Sequence, residues 1–407
     1  MKSVEEQLAL VRRGVDQIVP EDALREKLKR SVATGTPLRV KYGIDPTGFD
    51  VHLGHTVPLR KLRLFQELGH QAVLIIGDYT ARVGDPSGRD ASRKGLTAEQ
   101  IDANARDYLT QIGRIIDVKR AEVRFNGEWF GKFSFADVLA LTGQITVQRM
   151  LERDDFTRRR EAGTPIYLSE CLYPLMQGRD SVEIRADVEL GGSEQLYNLV
   201  VGRHLQTDAG QEPQVCLTMP ILRGLDGEKK MGKSLGNFIG VGEPPAEQFG
   251  KTMKIPDTLM REWFELLTDR PPEEITRLTD PQQTNPRLAK ELLGRDIVAF
   301  YHGPEAAEAA AARFRQVISE KKDPDDIPPV PLDRASLSDG GLPAYKLLVA
   351  LKLAPSGNEA RRLVQGGGVT VGPERLKLTD PNAVVKVTNG LVVRVGSRKV
   401  VRVQLEG

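Results

Sequence analysis

Residues 72–76 read Ala-Val-Leu-Ile-Ile, an apolar run with no polar alternation. A strand written this way is buried on both faces, and such strands belong to parallel sheets covered by helices. The neighbouring segments agree. Leu38 to Ile44 alternates as a strand, and His52 to Leu68 repeats as a helix with Leu59, Leu62 and Phe65 inward. A helix is expected near Ala98 to Ile116 and a strand near Glu122 to Asn126. Ser134 and Asp137 open another helix, running to about Glu152. Further strands are expected near Val182 to Asp187 and Val215 to Leu222, with a helix from Ser193 to Leu205 between them. Ser3 and Glu6 form a capping box at the start of an N-terminal helix. This alternation predicts an α/β fold built on a doubly wound parallel sheet.

The pattern changes beyond Gly242. Gln248 to Arg315 is helical in composition, and Lys321 to Gly340 carries Asp-Pro-Asp-Asp-Ile-Pro-Pro-Val-Pro, read as a stiff polar linker. Leu342 to Gln365 predicts two short helices, and Val369 to Glu406 is rich in valine and glycine turns, a β pattern. A chain of 407 residues is long enough for two or three domains. The net charge is +2, but residues 341–407 hold eleven Lys/Arg against four Asp/Glu. A basic terminal module on a mildly acidic body is a nucleic-acid pattern, although a solvated basic surface has the same composition. No apolar run approaches the ~18 residues of a membrane span. The N-terminus is too acidic and polar for a signal peptide. Cys171 and Cys216 are isolated, which argues against a disulfide framework or a zinc site and fits a reducing cytoplasm.

Two short segments carry the chemistry. His52-Leu53-Gly54-His55 falls where a helix begins after Asp45-Pro46-Thr47. Helix N-termini offer free N–H groups and partial positive charge to phosphates, and Gly54 lets a nucleotide approach the backbone. Alone, His-x-x-His would equally be a metal pair or a capped helix start. Lys230-Met231-Gly232-Lys233-Ser234 places two ammonium groups on a loop with glycines at 227, 232 and 236. Such a loop can close over a triphosphate, or be a solvated basic turn. Tyr173, Gln177 and Asp180 fall at i, i+4 and i+7, which puts them on one helix face.

In order, Asp45-Pro46-Thr47, His52 to His55, Gly84-Asp85-Pro86-Ser87-Gly88, Tyr173…Gln177…Asp180, Gly191-Gly192-Ser193-Glu194-Gln195 and Lys230 to Ser234 resemble the motif series of bacterial tyrosyl-tRNA synthetases, which are class I aminoacyl-tRNA synthetases. The tail, with Asn358 to Val364 and Gly366 to Val371, resembles the small RNA-binding domain that ends many of them, first known in a ribosomal small-subunit protein. The resemblance spans essentially the whole chain.

The resemblance implies a Rossmann-like catalytic domain over 1–225, with a dimer-type connective insertion at about 119–160. It implies a signature lysine loop over 226–240, an α-helical anticodon-binding domain over 241–325, a Pro-rich linker over 326–340 and an α+β RNA-binding domain over 341–407. Tyr173, Gln177 and Asp85 would surround the substrate ammonium, Asp180 would accept from its phenol, and Gln195 would orient its carboxylate. Asp45, Gly54, Gly192 and Glu194 would lie along the adenosine. Thr47, His52 and His55 would touch phosphates, Lys230 and Lys233 would clamp the leaving pyrophosphate with Arg89 and Arg93 near it, and Ser234 would join the ATP site. Arg361, Arg362 and Lys377 would meet RNA. Tyrosine, ATP with Mg²⁺ carried by the nucleotide, and a tRNA are the implied ligands, with no protein-bound metal. The chain would act as a cytoplasmic homodimer, with Leu139, Leu141 and Ile145 either its apolar interface or core.

Three positions depart from the family pattern. Lys41 stands where many members have a tyrosine that contacts the substrate hydroxyl, so its role is open. Glu194 stands where an aspartate usually meets the ribose, moving the carboxylate outward by about 1.5 Å on C–C geometry, so either that contact is re-made or Glu194 has lost the role. Gly232 replaces a commoner serine. Tryptophan activation is disfavoured by Asp180. A nucleotidylyltransferase would not need the helical and basic appendages. A pure RNA-binding or splicing factor would not need both signatures.

Overall fold

The structure, a computed structural model, describes residues 1–46, 51–86, 97–316, 327–396 and 399–407. It divides into two compact units, Met1–Ala307 and Glu308–Gly407.

The first unit is organised by a six-stranded sheet. Its strands are β1 (Gln17–Val19), β2 (Arg39–Ile44), β3 (Gln71–Ile76), β4 (Glu122–Phe125), β5 (Val188–Gly192) and β6 (Val215–Met219), in the order β1-β6-β5-β2-β3-β4. β2 to β6 are parallel, and the short β1 runs antiparallel along β6. The apolar run of β3 is covered on both sides, as its composition requires: Ala72 and Leu74 enter one core cluster, and Val73 and Ile75 enter another. The fold class read from the sequence is the one observed. The chain order reverses between β5 and β2, so the carboxyl ends of these two strands open the crevice where doubly wound sheets take their ligands.

Several elements differ from the sequence reading. Val182–Ile184 does not start a strand. It ends the helix Leu168–Ile184, which stops at Arg185 in the left-handed region, φ 51°, and the strand begins at Val188. The apolar side chains that suggested a strand are buried on the inner face of that helix. The helix from Ser134 breaks at Gly143, and Thr146 caps a separate turn, Val147–Met150. The helix after Ala98 ends at Ile112, just before Gly113.

Residues 245–302 are helical, with Trp263, Phe264, Leu293 and Ile297 buried.

The second unit holds β7 (Pro329–Asp333), β8 (Gly341–Pro343), β9 (Val369–Val371), β10 (Leu376–Leu378), β11 (Val384–Lys386), β12 (Val392–Val395) and β13 (Lys399–Glu406), with helices Ala344–Ala350 and Gly357–Gln365. The main sheet has the order β10-β9-β12-β13-β7. The proline-rich stretch 329–333, read as part of a linker, is therefore its edge strand, parallel to β13. Prolines are tolerated there because an edge strand leaves one row of N–H positions unpaired.

Candidate active site

A cavity opens at the carboxyl ends of β2, β3 and β5. Tyr42 and Asp45 line it from β2, Gly77 and Thr80 from beyond β3, and Leu190, Gly192, Glu194 and Gln195 from β5 onward. His55 comes from the helix Leu53–Glu67, Asp85 from the loop after β3, and Tyr173, Gln177 and Asp180 from the helix Leu168–Ile184. The i, i+4, i+7 spacing thus delivers three polar groups to one wall.

Asp180 is buried, 4% exposed. Its carboxylate accepts from Trp129 Nε1 at 3.0 Å and from Asn126 Nδ2 at 3.4 Å. Burial pushes its pKa up to about 7, against the opposing pull of Lys41 and these two donors. Tyr173 Oη donates to Asp45 Oδ2 at 2.8 Å, and Thr80 Oγ1 donates to Asp45 Oδ1 at 2.7 Å. A Cβ at Gly77 would collide with the side-chain oxygens of both Asp45 and Thr80, so any larger residue would have to displace their hydrogen bond. Asp85 accepts from Gln195 Nε2 at 2.6 Å and from the buried Arg153 at 3.1 Å. Asn198 Nδ2 donates to both Gln177 Oε1 and Gln195 Oε1 at 3.0 Å, fixing the two amides relative to each other.

At the other end of the cavity the imidazoles of His52 and His55 stack, with centroids 3.7 Å apart. Burial drives His52 down to about 2, helped by His55 and Lys233, and drives His55 down to about 4, helped by Lys233. Both rings are therefore neutral at physiological pH. A Cβ at Gly54 would lie 3.1 Å from the His52 ring and 3.5 Å from Met231 Cβ, so the glycine admits the ring and the lysine loop together. Backbone bonds join the two signatures: Leu53 N donates to Ile239 O at 3.0 Å, and Val241 N to Val51 O at 2.8 Å. Met231 is buried in the main core, whereas Lys230 and Ser234 are exposed. Lys233 acts electrostatically on both histidines, and Lys230 on Glu194. The Glu194 carboxylate folds back against Gly192, where a Cβ would collide with it. Burial raises its pKa, and Asp85 adds to the rise.

The structure thus gathers Asp45, His52, Gly54, His55, Asp85, Tyr173, Gln177, Asp180, Gly192, Glu194, Gln195, Lys230, Lys233 and Ser234 in one region. Thr47, Arg89 and Arg93 lie outside the described residues. Arg361, Arg362 and Lys377 belong to the second unit. There the Arg361 guanidinium stacks 3.8 Å over Tyr345, Arg362 is exposed, and Lys377 lies across Gly367. Leu139 is 57% exposed but Leu141 is buried, and Ile145 packs against the core. Phe135 and Val147 share the exposure of Leu139.

Sequence reasoning missed Thr80, Asn126, Trp129, Arg153 and Asn198, all of which hold site residues in place. No motif marks them, and their partners lie far away in sequence. Among the described residues, no group of three His, Cys, Asp or Glu could hold a metal ion, and no helix is long and apolar enough to cross a membrane.

Comparison with known proteins agrees with this architecture. The family model described as tRNA synthetases class I (W and Y) matches residues 33–319, and an S4 domain matches 346–387. The chain belongs to the class I tRNA synthetases of the tryptophan and tyrosine group, and is an aminoacyl-tRNA synthetase with an S4 domain. Within that group it is similar to the tyrosine–tRNA ligase of Symbiobacterium thermophilum, 53% identical over 99% of this chain and 98% of the relative. It is also similar to the tyrosine–tRNA ligase of Moorella thermoacetica, 51% identical over 98% and 96%. The tyrosyl-tRNA synthetase of Archaeoglobus fulgidus, solved with L-tyrosine, superposes with a TM-score of 0.61 at 26% identity, covering 76% of this chain and all of that one.

Proposed function

We propose that this chain activates L-tyrosine with ATP and transfers it to the 3′ end of tRNA(Tyr). The observation that carries the reading is Asp180: a buried carboxylate, held by two donors, lining the same cavity as His55 and Glu194. A phenol pointing at it adds a third donor to the buried carboxylate, whereas a phenyl ring supplies none and displaces any water that could. Tyr173, Gln177 and Asp85 receive the ammonium and Gln195 orients the carboxylate. Asp45, Gly54, Gly192 and Glu194 take the adenosine.

A carboxylate oxygen of tyrosine attacks the α-phosphorus, the bond to the β-phosphate oxygen breaks, and pyrophosphate leaves. Negative charge grows on phosphate oxygens, so Thr47 and the neutral His52 and His55 donate to them. Lys230, Lys233, Ser234, Arg89 and Arg93 take the departing charge. No protein nucleophile is used. Mg²⁺ enters with ATP as part of the substrate. In the second step a ribose hydroxyl of the tRNA attacks the adenylate carbonyl and AMP leaves.

We assign 1–225 to catalysis, 226–240 to the signature loop and 241–325 to anticodon binding. The basic C-terminal unit takes tRNA through Arg361, Arg362 and Lys377. We further propose a cytoplasmic homodimer joined through the insertion at 119–160, where Phe135, Leu139 and Val147 are exposed.

ATP–pyrophosphate exchange with each of the twenty amino acids tests the reading. Exchange is expected with tyrosine alone, and its absence would sink the assignment. Removing 327–407 should spare tyrosyl-adenylate formation, weaken tRNA charging and flatten its salt dependence. The cut is placed before β7 because β7 pairs with β13.

A further inference from the structure

Lys41 sits in the middle of β2, where a lysine in a strand ordinarily faces water. Here it is fully buried. Its strand neighbour on one side is Val73, part of an apolar core, and on the other Glu189, its direct cross-strand partner. Lys41 Nζ meets Glu189 Oε1 at 2.9 Å, Ser181 Oγ at 2.8 Å and the Gln177 carbonyl at 2.8 Å. An ammonium has three donors, and all three are used. Glu189 is equally engaged: Oε1 also accepts from Gln177 Nε2 at 3.1 Å, while Oε2 accepts from Ser181 Oγ at 3.0 Å and from Gln214.

A buried ion pair of this kind is a poor source of stability, since an apolar pair of similar volume often serves as well. Its value lies in what it fixes. The Gln177 amide can take one orientation only, its NH₂ toward Glu189 and its oxygen toward Asn198. The helix turn carrying Gln177, Asp180 and Ser181 is tied to β2 and β5 by three side chains.

We propose that Lys41 is a positioning residue for amino-acid selection. Through Glu189, Ser181 and the Gln177 carbonyl it locks Gln177 and Asp180 in the orientation that accepts a phenol and an ammonium. This rests on the assignment of the cavity to tyrosine. It also gives the buried lysine a reading: Lys41 is not among the residues lining the cavity and acts from behind its wall. The electrostatics run the same way. Asp180 is faced by Lys41 from β2, Glu189 from β5, Asn126 and Trp129 after β4, and Tyr173 on its own helix, and Lys41 is the largest influence favouring the carboxylate.

The test is tyrosine- and phenylalanine-dependent ATP–pyrophosphate exchange by the full chain. The wild type must exchange with tyrosine; if it does not, the cavity assignment fails and Lys41 is not at issue. With that control in hand, Lys41→Gln should raise KM for tyrosine about tenfold and cut the tyrosine-to-phenylalanine ratio about tenfold, with KM for ATP within about twofold. Its acid limb for tyrosine kcat/KM should move to higher pH, because the cation favouring ionised Asp180 is gone. Equal changes in both KM values, or an unchanged ratio, would overturn the proposal. Should Lys41→Gln fail to fold, Ser181→Ala decides. It removes one acceptor from Lys41 and one donor from Glu189 but leaves both charges paired, and about a threefold loss of the same ratio is expected. An unchanged ratio in that variant overturns the proposal equally.

Discussion

Around Asp180 the cavity wall is already wired: Tyr173 bonds Asp45, Gln195 bonds Asp85, and Gln177 bonds Asn198 and Glu189. Around the two signatures the wall is made of close-packed backbone, with Gly54 against the His52 ring and Gly192 against the Glu194 carboxylate, two stacked neutral imidazoles and an exposed Lys230. The difference follows the chemistry. An amino acid must be recognised before anything happens, so its groups meet fixed partners and mismatches leave buried donors or acceptors unpaired. ATP brings phosphate charge with it, and on the proposed reading more of that charge gathers on the departing pyrophosphate as the reaction proceeds. It is better met by groups that cost little to keep near one another while empty, and neutral histidines beside Lys233 meet that condition.

If the two ends do divide labour this way, variants should separate them. Lys233→Ala carries the largest expected effect: the rate of adenylate formation should fall about a hundredfold to a thousandfold, with tyrosine affinity unchanged in equilibrium binding. A parallel loss of tyrosine affinity would erase the distinction. Asp180→Asn should act in the opposite sense. Its kcat/KM for tyrosine should drop roughly tenfold to a hundredfold in exchange assays, with KM for ATP unchanged, because the phenol loses its carboxylate and the Asn amide faces Trp129 or Asn126 donor to donor. The mildest test is pH. Asp180 is raised to about 7, so protonation below that removes the acceptor, and kcat/KM for tyrosine should fall about tenfold per unit on the acid side. KM for ATP should stay flat from pH 7 to 5, since the histidines have been lowered to about 2 and about 4.

Much of this was legible in the chain. The unbroken apolar run of β3 announces a parallel sheet, and the glycines of the signatures mark close approach of backbone and side chains. What stayed hidden has identifiable causes. Lys41 and Glu189 are charged residues in strands, and nothing local says that they face each other across β2 and β5 rather than water. Thr80, Asn126 and Trp129 act on Asp45 and Asp180 across large sequence separations, so only the folded sheet reveals them. Val182 to Ile184 has strand composition but lies on the buried face of a helix whose end is set by the left-handed Arg185. The prolines of 329–333 suit a linker and an edge strand alike, and pairing with β13 decides between them.

The lysine loop is pinned at both feet. Met231 N bonds Leu222 O at 2.9 Å, Leu225 N bonds Asn237 O at 2.9 Å, and Ile239 is bonded to the start of the histidine helix. Only five residues, 232–236, span the arch between those feet. The six steps from Met231 to Asn237 stretch to about 22 Å at most, so the crown of the arch can rise by no more than about 11 Å. The length of chain between the two anchors thus caps how far Lys233 and Ser234 can stand from the histidine helix.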